Sequence, residues 1–223
     1  MPWRPGGLDR RTRQLICCIF VSMDAVELFK QHVLRRVAMP AEELGELIAG
    51  FKLKKVKKKQ FIIQPDFRAL HRTWVAEGAF RSYVVGQEGV DYTIQFAIED
   101  WWISDLNSFI YQQPATLFVA AIEDSTVLQI DYDTEQRLKA KYHAIETFFR
   151  IGAERTAAFH QRRIISALTL TAEERYEVFL DTYPDVVQRL PQYAVASYLG
   201  MTTQFLSQIR NNKIKKKADP RKS

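Results

Sequence analysis

The sequence predicts an α+β protein: an antiparallel β-roll with flanking helices, then a long helix, then a C-terminal helix-turn-helix. Three observations predict it. Apolar residues recur at helical spacing over 24–50, alternate with a period of two from Phe51 to about residue 133, and return to helical spacing from Thr134 onward. The middle stretch is rich in β-branched and aromatic residues and is cut by turn signals. The stretch QYAVASYLGMTTQFLSQIR at 192–210 places small Ala196 four residues before Gly200, between two short apolar-periodic segments.

Residues 1–22 differ in pattern from the rest of the chain, with basic residues ahead of a short apolar run. No small-residue cleavage site comes after that run, so a signal peptide is not expected. The helical pattern opens at Met23, and 1–22 read as an extension of uncertain status. Val26, Leu28, Phe29, Val33 and Leu34 mark a first helix, and Pro40 fits the first turn of a second that ends at Gly50. From Phe51 the run FKLKKVKKKQFII alternates apolar residues with lysines, as a strand with one solvated face does. Further strands come next, with Gly78 and the Gly86–Gly89 pair at hairpin turns. These make the roll, within a unit spanning 23–133.

Thr134 can cap a long helix over 134–165. Leu138, Tyr142, Ile145, Phe149, Gly152, Thr156 and Phe159 fall at steps of three and four, a heptad-like seam expected to pair with a second copy. The unit 166–223 opens with the capping box Thr171–Glu174. A short helix over Val186–Leu190 is expected next, and Pro191 opens the first helix of the motif. In the motif, Gly200 supplies the turn, Thr202 can cap the second helix, and Val195, Leu199, Met201, Leu206 and Ile209 pack it. That leaves Thr203, Gln204, Ser207, Gln208 and Arg210 on the outer face. Such side chains donate and accept hydrogen bonds, as a helix reading base edges must.

Charge points the same way. The chain carries +6, and Arg210–Ser223 holds seven basic residues and one acid, so the remainder is near neutral. Arg210, Lys213 and Lys215 are candidates for phosphate contact. Two adjacent cysteines, Cys17 and Cys18, form neither a disulfide framework nor a metal-binding pair, which suits a reducing cytoplasm. The longest apolar run, Leu15 to Val21, is too short to cross a bilayer, so no membrane partner is expected. Enzyme chemistry finds no footing: no nucleophile motif, no Gly-rich phosphate loop and no His/Glu cluster occur. His71, His143 and His160 stand isolated, and no metal or cofactor is expected.

The order helix pair, β-roll, long helix, helix-turn-helix resembles the Crp/Fnr family of bacterial transcription regulators over Met23 to Arg210. The residues that carry the resemblance are IQFAIEDWWISDLNSF at 94–109, VAAIEDSTVLQI at 119–130 and LTAEERYEVFLDTYPDVVQRLPQYAVASYLGMTTQFLSQIR at 170–210. It implies a cyclic-nucleotide-binding-like roll with a double-stranded β-helix topology. It further implies a homodimer on double-stranded DNA with an inverted-repeat operator, and RNA polymerase as a further partner. Founding members hold a cyclic nucleotide with Gly-Glu and an arginine ten residues on. Here Ser104–Asp105 and Ala115 stand at those positions, and no arginine lies between Arg81 and Arg137. Cyclic AMP or GMP is therefore not the expected ligand. Trp101, Trp102, Ser104, Asp105, Phe109 and Phe118 outline a candidate pocket for an unknown apolar or aromatic effector, if they do not simply fill the roll. The rival reading is a ligand-binding or protein-interaction adaptor without sequence-specific DNA binding.

Overall fold

The computed structural model describes residues 24–184 and 186–218, with side chains to Lys213. The extension 1–22, with Cys17 and Cys18, lies outside the described residues, as does the side chain of Lys215.

Helix α1 (24–34) and α2 (Ala41–Ala49) precede the strands. Pro40 is the N-cap of α2, one position earlier than its pattern suggests. Among the described residues there are then eight strands: β1 (Lys52–Val56), β2 (Phe61–Ile63), β3 (His71–Glu77), β4 (Phe80–Val85), β5 (Asp91–Ala97), β6 (Trp102–Ile103), β7 (Phe118–Ala121) and β8 (Ser125–Asp131). They form two four-stranded antiparallel sheets, ordered β1-β8-β3-β6 and β2-β7-β4-β5, with an apolar core of Val75, Phe80, Ile103, Phe109, Val119 and Val127. This is the predicted roll.

The lysine-rich run is not one strand. It turns at Lys59 (φ 67°), so β1 and β2 enter different sheets, while Lys52, Lys54, Lys57 and Lys58 stay exposed. The hairpin glycines behave as expected. Gly78 has φ 103° and a Cβ there would lie 2.1 Å from the Ser125 hydroxyl, so only glycine fits.

Helix α3 (Leu106–Tyr111) is not anticipated by the sequence pattern. Its signal was a short Asp cap: the Asp105 carboxylate accepts from the Ser108 amide at 3.0 Å.

The long helix is interrupted. Helix α4 (Tyr132–Lys141) and α5 (His143–Thr169) meet at extended Tyr142 (φ −128°, ψ 115°). Asp131, not Thr134, caps α4, its carboxylate accepting from the Thr134 amide at 2.9 Å. The break re-aims the axis so that Leu138 and Ile145 both bury fully in a core shared with Phe29, Leu47, Trp74 and Ile130. Phe149 buries there too, and Tyr142 packs beside it. The first half of the seam thus packs inside this chain, on the apolar face that the roll and α1 offer it. Farther along α5, Gly152, Thr156 and Phe159 are half-buried against the roll.

Helix α6 (Ala172–Thr182) begins with the predicted capping box. Residues 186–190 form turns rather than a helix, as a five-residue segment before Pro191 cannot complete a second turn. Helices α7 (Gln192–Leu199) and α8 (Thr203–Ala218) meet at Gly200 (φ 68°). Val195, Leu199, Leu206 and Ile209 bury with Tyr176, Phe179 and Tyr183, and Phe96 of β5 enters the same cluster. The C-terminal helices are therefore packed directly on the roll.

Candidate functional site

Two places collect the side chains singled out above. The first is the outward side of α8. Burying Leu206 and Ile209 forces the intervening positions outward, and Thr203, Gln204, Gln208 and Arg210 are exposed. The Thr202 hydroxyl accepts from the Phe205 amide at 3.2 Å, which fixes where α8 starts. Two members of the predicted set are engaged within the chain. The Ser207 hydroxyl donates to the Thr203 carbonyl at 2.9 Å and accepts from the Gln192 amide nitrogen at 2.5 Å. Lys213 pairs with Glu177 at 3.0 Å and lies over the Tyr176 ring. The spacing rule for a helix face cannot see Gln192 or Glu177, because both lie on other helices.

The second place is a cavity of about 710 Å³ between the roll and α5. Trp101, Trp102, Ser104 and Asp105 line it, as predicted. Phe109 and Phe118 do not. Phe109 is wholly buried inside the roll, and Phe118 stacks on Tyr83 beside Phe61 on the second sheet. Alternation along β7 turns Phe118 to the opposite face from the cavity.

Asp105 is sealed, and both carboxylate oxygens are used: the Ser108 amide on one, and the Thr116 amide (2.8 Å), Leu117 amide (3.1 Å) and Thr116 hydroxyl (3.3 Å) on the other. It ties α3 to the segment that leads into β7. Ala115 is buried beside it.

The cations missing from 82–136 arrive from elsewhere in the chain. Arg36 comes just after α1, Arg72 lies on β3 and Arg155 on α5, and all three line the cavity. Arg72 sits 5.4 Å from the Phe109 and Phe149 ring centroids, with its Nε 3.2 Å from Glu135. Burial pushes the Glu135 carboxyl up and the Arg72 guanidinium down, so the pair is held against a desolvation cost.

Sequence reasoning passed over His32. It is 1% exposed, donates to Asp100 through Nδ1, and accepts from the Trp102 indole N–H at 3.2 Å through Nε2. Burial lowers its pKa, outweighing the opposing pull of Asp100. Asp100 adopts φ 70° in the β5–β6 turn, a conformation tolerated by Asp, which brings its carboxylate within reach of Arg35 at 3.0 Å. The signal available was only a histidine on the apolar face of α1, three residues after Phe29.

Trp101 joins the two places. Its ring lies 5.8 Å from Phe159 on the cavity side and 5.6 Å from Tyr183 on the side of the C-terminal helices. Among the described residues no His, Cys, Asp or Glu cluster could hold a metal, and no helix is long and apolar enough to cross a membrane.

No protein-family model and no curated protein matches the chain. Solved structures do. FixK2 from Bradyrhizobium japonicum superposes with a TM-score of 0.63 at 17% identity, covering 73% of this chain and 83% of that one. The c-di-GMP responsive global regulator CLP of Xanthomonas campestris gives 0.64 at 11% identity, covering 78% and 91%. A CooA mutant from Carboxydothermus hydrogenoformans gives 0.61 at 19%, covering 81% and 87%. The chain therefore has the fold of Crp/Fnr-type regulators.

Proposed function

We propose that this chain, built on the Crp/Fnr-type fold, is a transcription regulator that binds an inverted-repeat DNA operator as a homodimer. The observation that carries the proposal is the outward side of α8. Thr203, Gln204, Gln208 and Arg210 face solvent on a helix whose other side is anchored by Leu206 and Ile209. A recognition helix needs a free polar surface on a rigid support. Gln204 and Gln208 match adenine edges, so half-sites contain A·T pairs. Arg210 supplies phosphate contact, with the basic run after it adding sequence-independent attraction.

The dimer contact belongs to the second half of α5, not to the seam over 138–149. Ile164 (61% exposed), Ile165 (51%) and Leu168 (81%) form an unpartnered apolar stripe there, with Ala157 exposed two turns before it. Apolar residues so exposed on a long helix fit a second copy of the same helix. Operator binding requires that pairing there set the two α8 helices about 34 Å apart, one duplex turn.

The test is selection of bound sequences from a random duplex pool by the full chain. An enriched inverted repeat is expected. Enrichment of nothing, or of one asymmetric half-site, overturns the reading. In that case the cavity and the exposed stripe would belong to an adaptor.

A further inference from the structure

We propose that the cavity takes a planar aromatic carboxylate, its ring among the aromatic walls and its carboxylate met by Arg155. This rests on reading the cavity as the effector pocket of the regulator and names the class of effector.

The three arginines that line the cavity are not equally served by acids. At the rim, the turn after α1 brings Arg36 and α5 brings Arg155. The acid there, Asp100, is shared among the His32 ring, Arg35 at 3.0 Å and Arg36 at 3.7 Å. Burial lowers the Arg36 pKa, and repulsion from nearby Arg155 lowers it further. Arg155 makes no ion pair or hydrogen bond among the described residues. Deeper in, the Arg72 guanidinium is wedged between two phenylalanine rings with one contact to Glu135, and its terminal nitrogens make no hydrogen bond among the described residues. A guanidinium fork lacking an acceptor, as Arg155 presents, is complementary to a carboxylate, which it can grip through two parallel hydrogen bonds.

Shape selects the rest of the guest. Trp101, Trp102, Phe148, Phe149 and Phe159 contribute rings to the wall, which favours a flat apolar body. A volume of about 710 Å³ is in the range of small organic ligands. The phosphate of a cyclic nucleotide is disfavoured at the α3 end. There Asp105 already places its own negative charge on the Ser108, Thr116 and Leu117 amides.

The experiment is calorimetry on the full chain with 2-naphthoate and with its neutral twin 2-naphthamide. Naphthoate is expected to bind at least tenfold tighter than the amide. Arg155→Met should erase that preference while leaving the amide affinity within twofold; because Arg155 is exposed, the variant should keep its melting temperature. Equal affinities for acid and amide, no binding of naphthoate, or displacement of naphthoate by equimolar cyclic AMP each overturn the proposal. DNA plays no part in the readout. A chain that prefers naphthoate but selects no operator keeps this inference and loses the regulator reading; the reverse pattern does the opposite.

Discussion

Arg189 forks onto Glu99, with Nη2 2.8 Å from one carboxylate oxygen and Nη1 3.0 Å from the other, and so binds the turn before α7 to the β5–β6 turn. The same guanidinium reaches Glu123 in the β7–β8 turn, and Glu99 also accepts from the Gly78 amide at 2.8 Å. One side chain thereby ties two turns of the roll to the helix-turn-helix. Burial alone would raise Glu99, but the hydrogen bonds from Arg189 and Gly78 prevail and hold it below the usual carboxylate range.

Replacing Arg189 by Met should loosen that junction. The ion pairs are partly open to water, so the loss should be about 1 kcal/mol. Hydrogen exchange should speed up in α7 and β5 and stay unchanged in α1 and α2. Arg189→Lys should recover only part of the protection, because a point charge cannot fork onto two carboxylates. A carboxyl with a depressed folded pKa contributes stability above its unfolded pKa and gives it up as pH falls through the folded value. The junction should therefore hold at neutral pH and open below the ordinary Glu value of 4.5. Uniform exchange across the pH 7 to 3 range would refute this.

His32 sets a second pH limit, nearer neutrality. It is buried, with a pKa below the ordinary 6.5, so the folded chain binds its proton less readily than the unfolded chain does. Stability should be complete above pH 6.5 and fall as pH drops through the folded value. His32→Gln should lower the melting temperature at pH 7.5 and flatten its decline toward pH 5. A parallel decline in both proteins would show that another group titrates.

Two glycines with positive φ should respond differently to alanine. At Gly200 nothing lies within 4 Å of a new Cβ, so only backbone strain is felt, about 1 kcal/mol. Gly200→Asn should cost less still. At Gly78 the new Cβ meets Ser125 backbone and side chain at 2.1 to 2.8 Å, and its loss of stability should be clearly larger. Equal denaturant midpoints for the two alanine variants would contradict this.

On DNA, Gln204→Ala should cost about 1–3 kcal/mol on the selected operator and relax preference at one position of each half-site. Arg210→Ala should weaken all duplexes alike and reduce the slope of affinity against salt. Lys213→Ala should barely change that slope, because its ammonium is already paired with Glu177. Competition binding over 50–200 mM salt separates the three.

For the dimer, Leu168→Asp should shift the chain toward monomer in sedimentation velocity without altering its melting midpoint by more than a degree or two. A charge at an exposed position adds no strain to the monomer but opposes apolar pairing. Leu138→Asp should instead unfold it, because Leu138 is wholly buried within the chain. Identical effects from both variants would return the dimer contact to the seam over 138–149.

Local and periodic features were legible in the residues alone. These are the switch of period at Phe51 and at the start of α4, the Thr171–Glu174 capping box, the left-handed turn at Gly200 and the polar side of α8. Each depends on residues within one or two helical turns, or on alternation within one strand, so spacing reveals it. Which apolar residues already had partners emerged only on packing. Packing broke the long helix at Tyr142 and turned Leu138, Ile145 and Phe149 inward, leaving Ile164, Ile165 and Leu168 outside. It also gathered Arg36, Arg72 and Arg155 around one cavity from three parts of the chain, although no arginine lies between Arg81 and Arg137. Charges far apart along the chain converge only when sheets and helices pack, and no periodicity records that convergence.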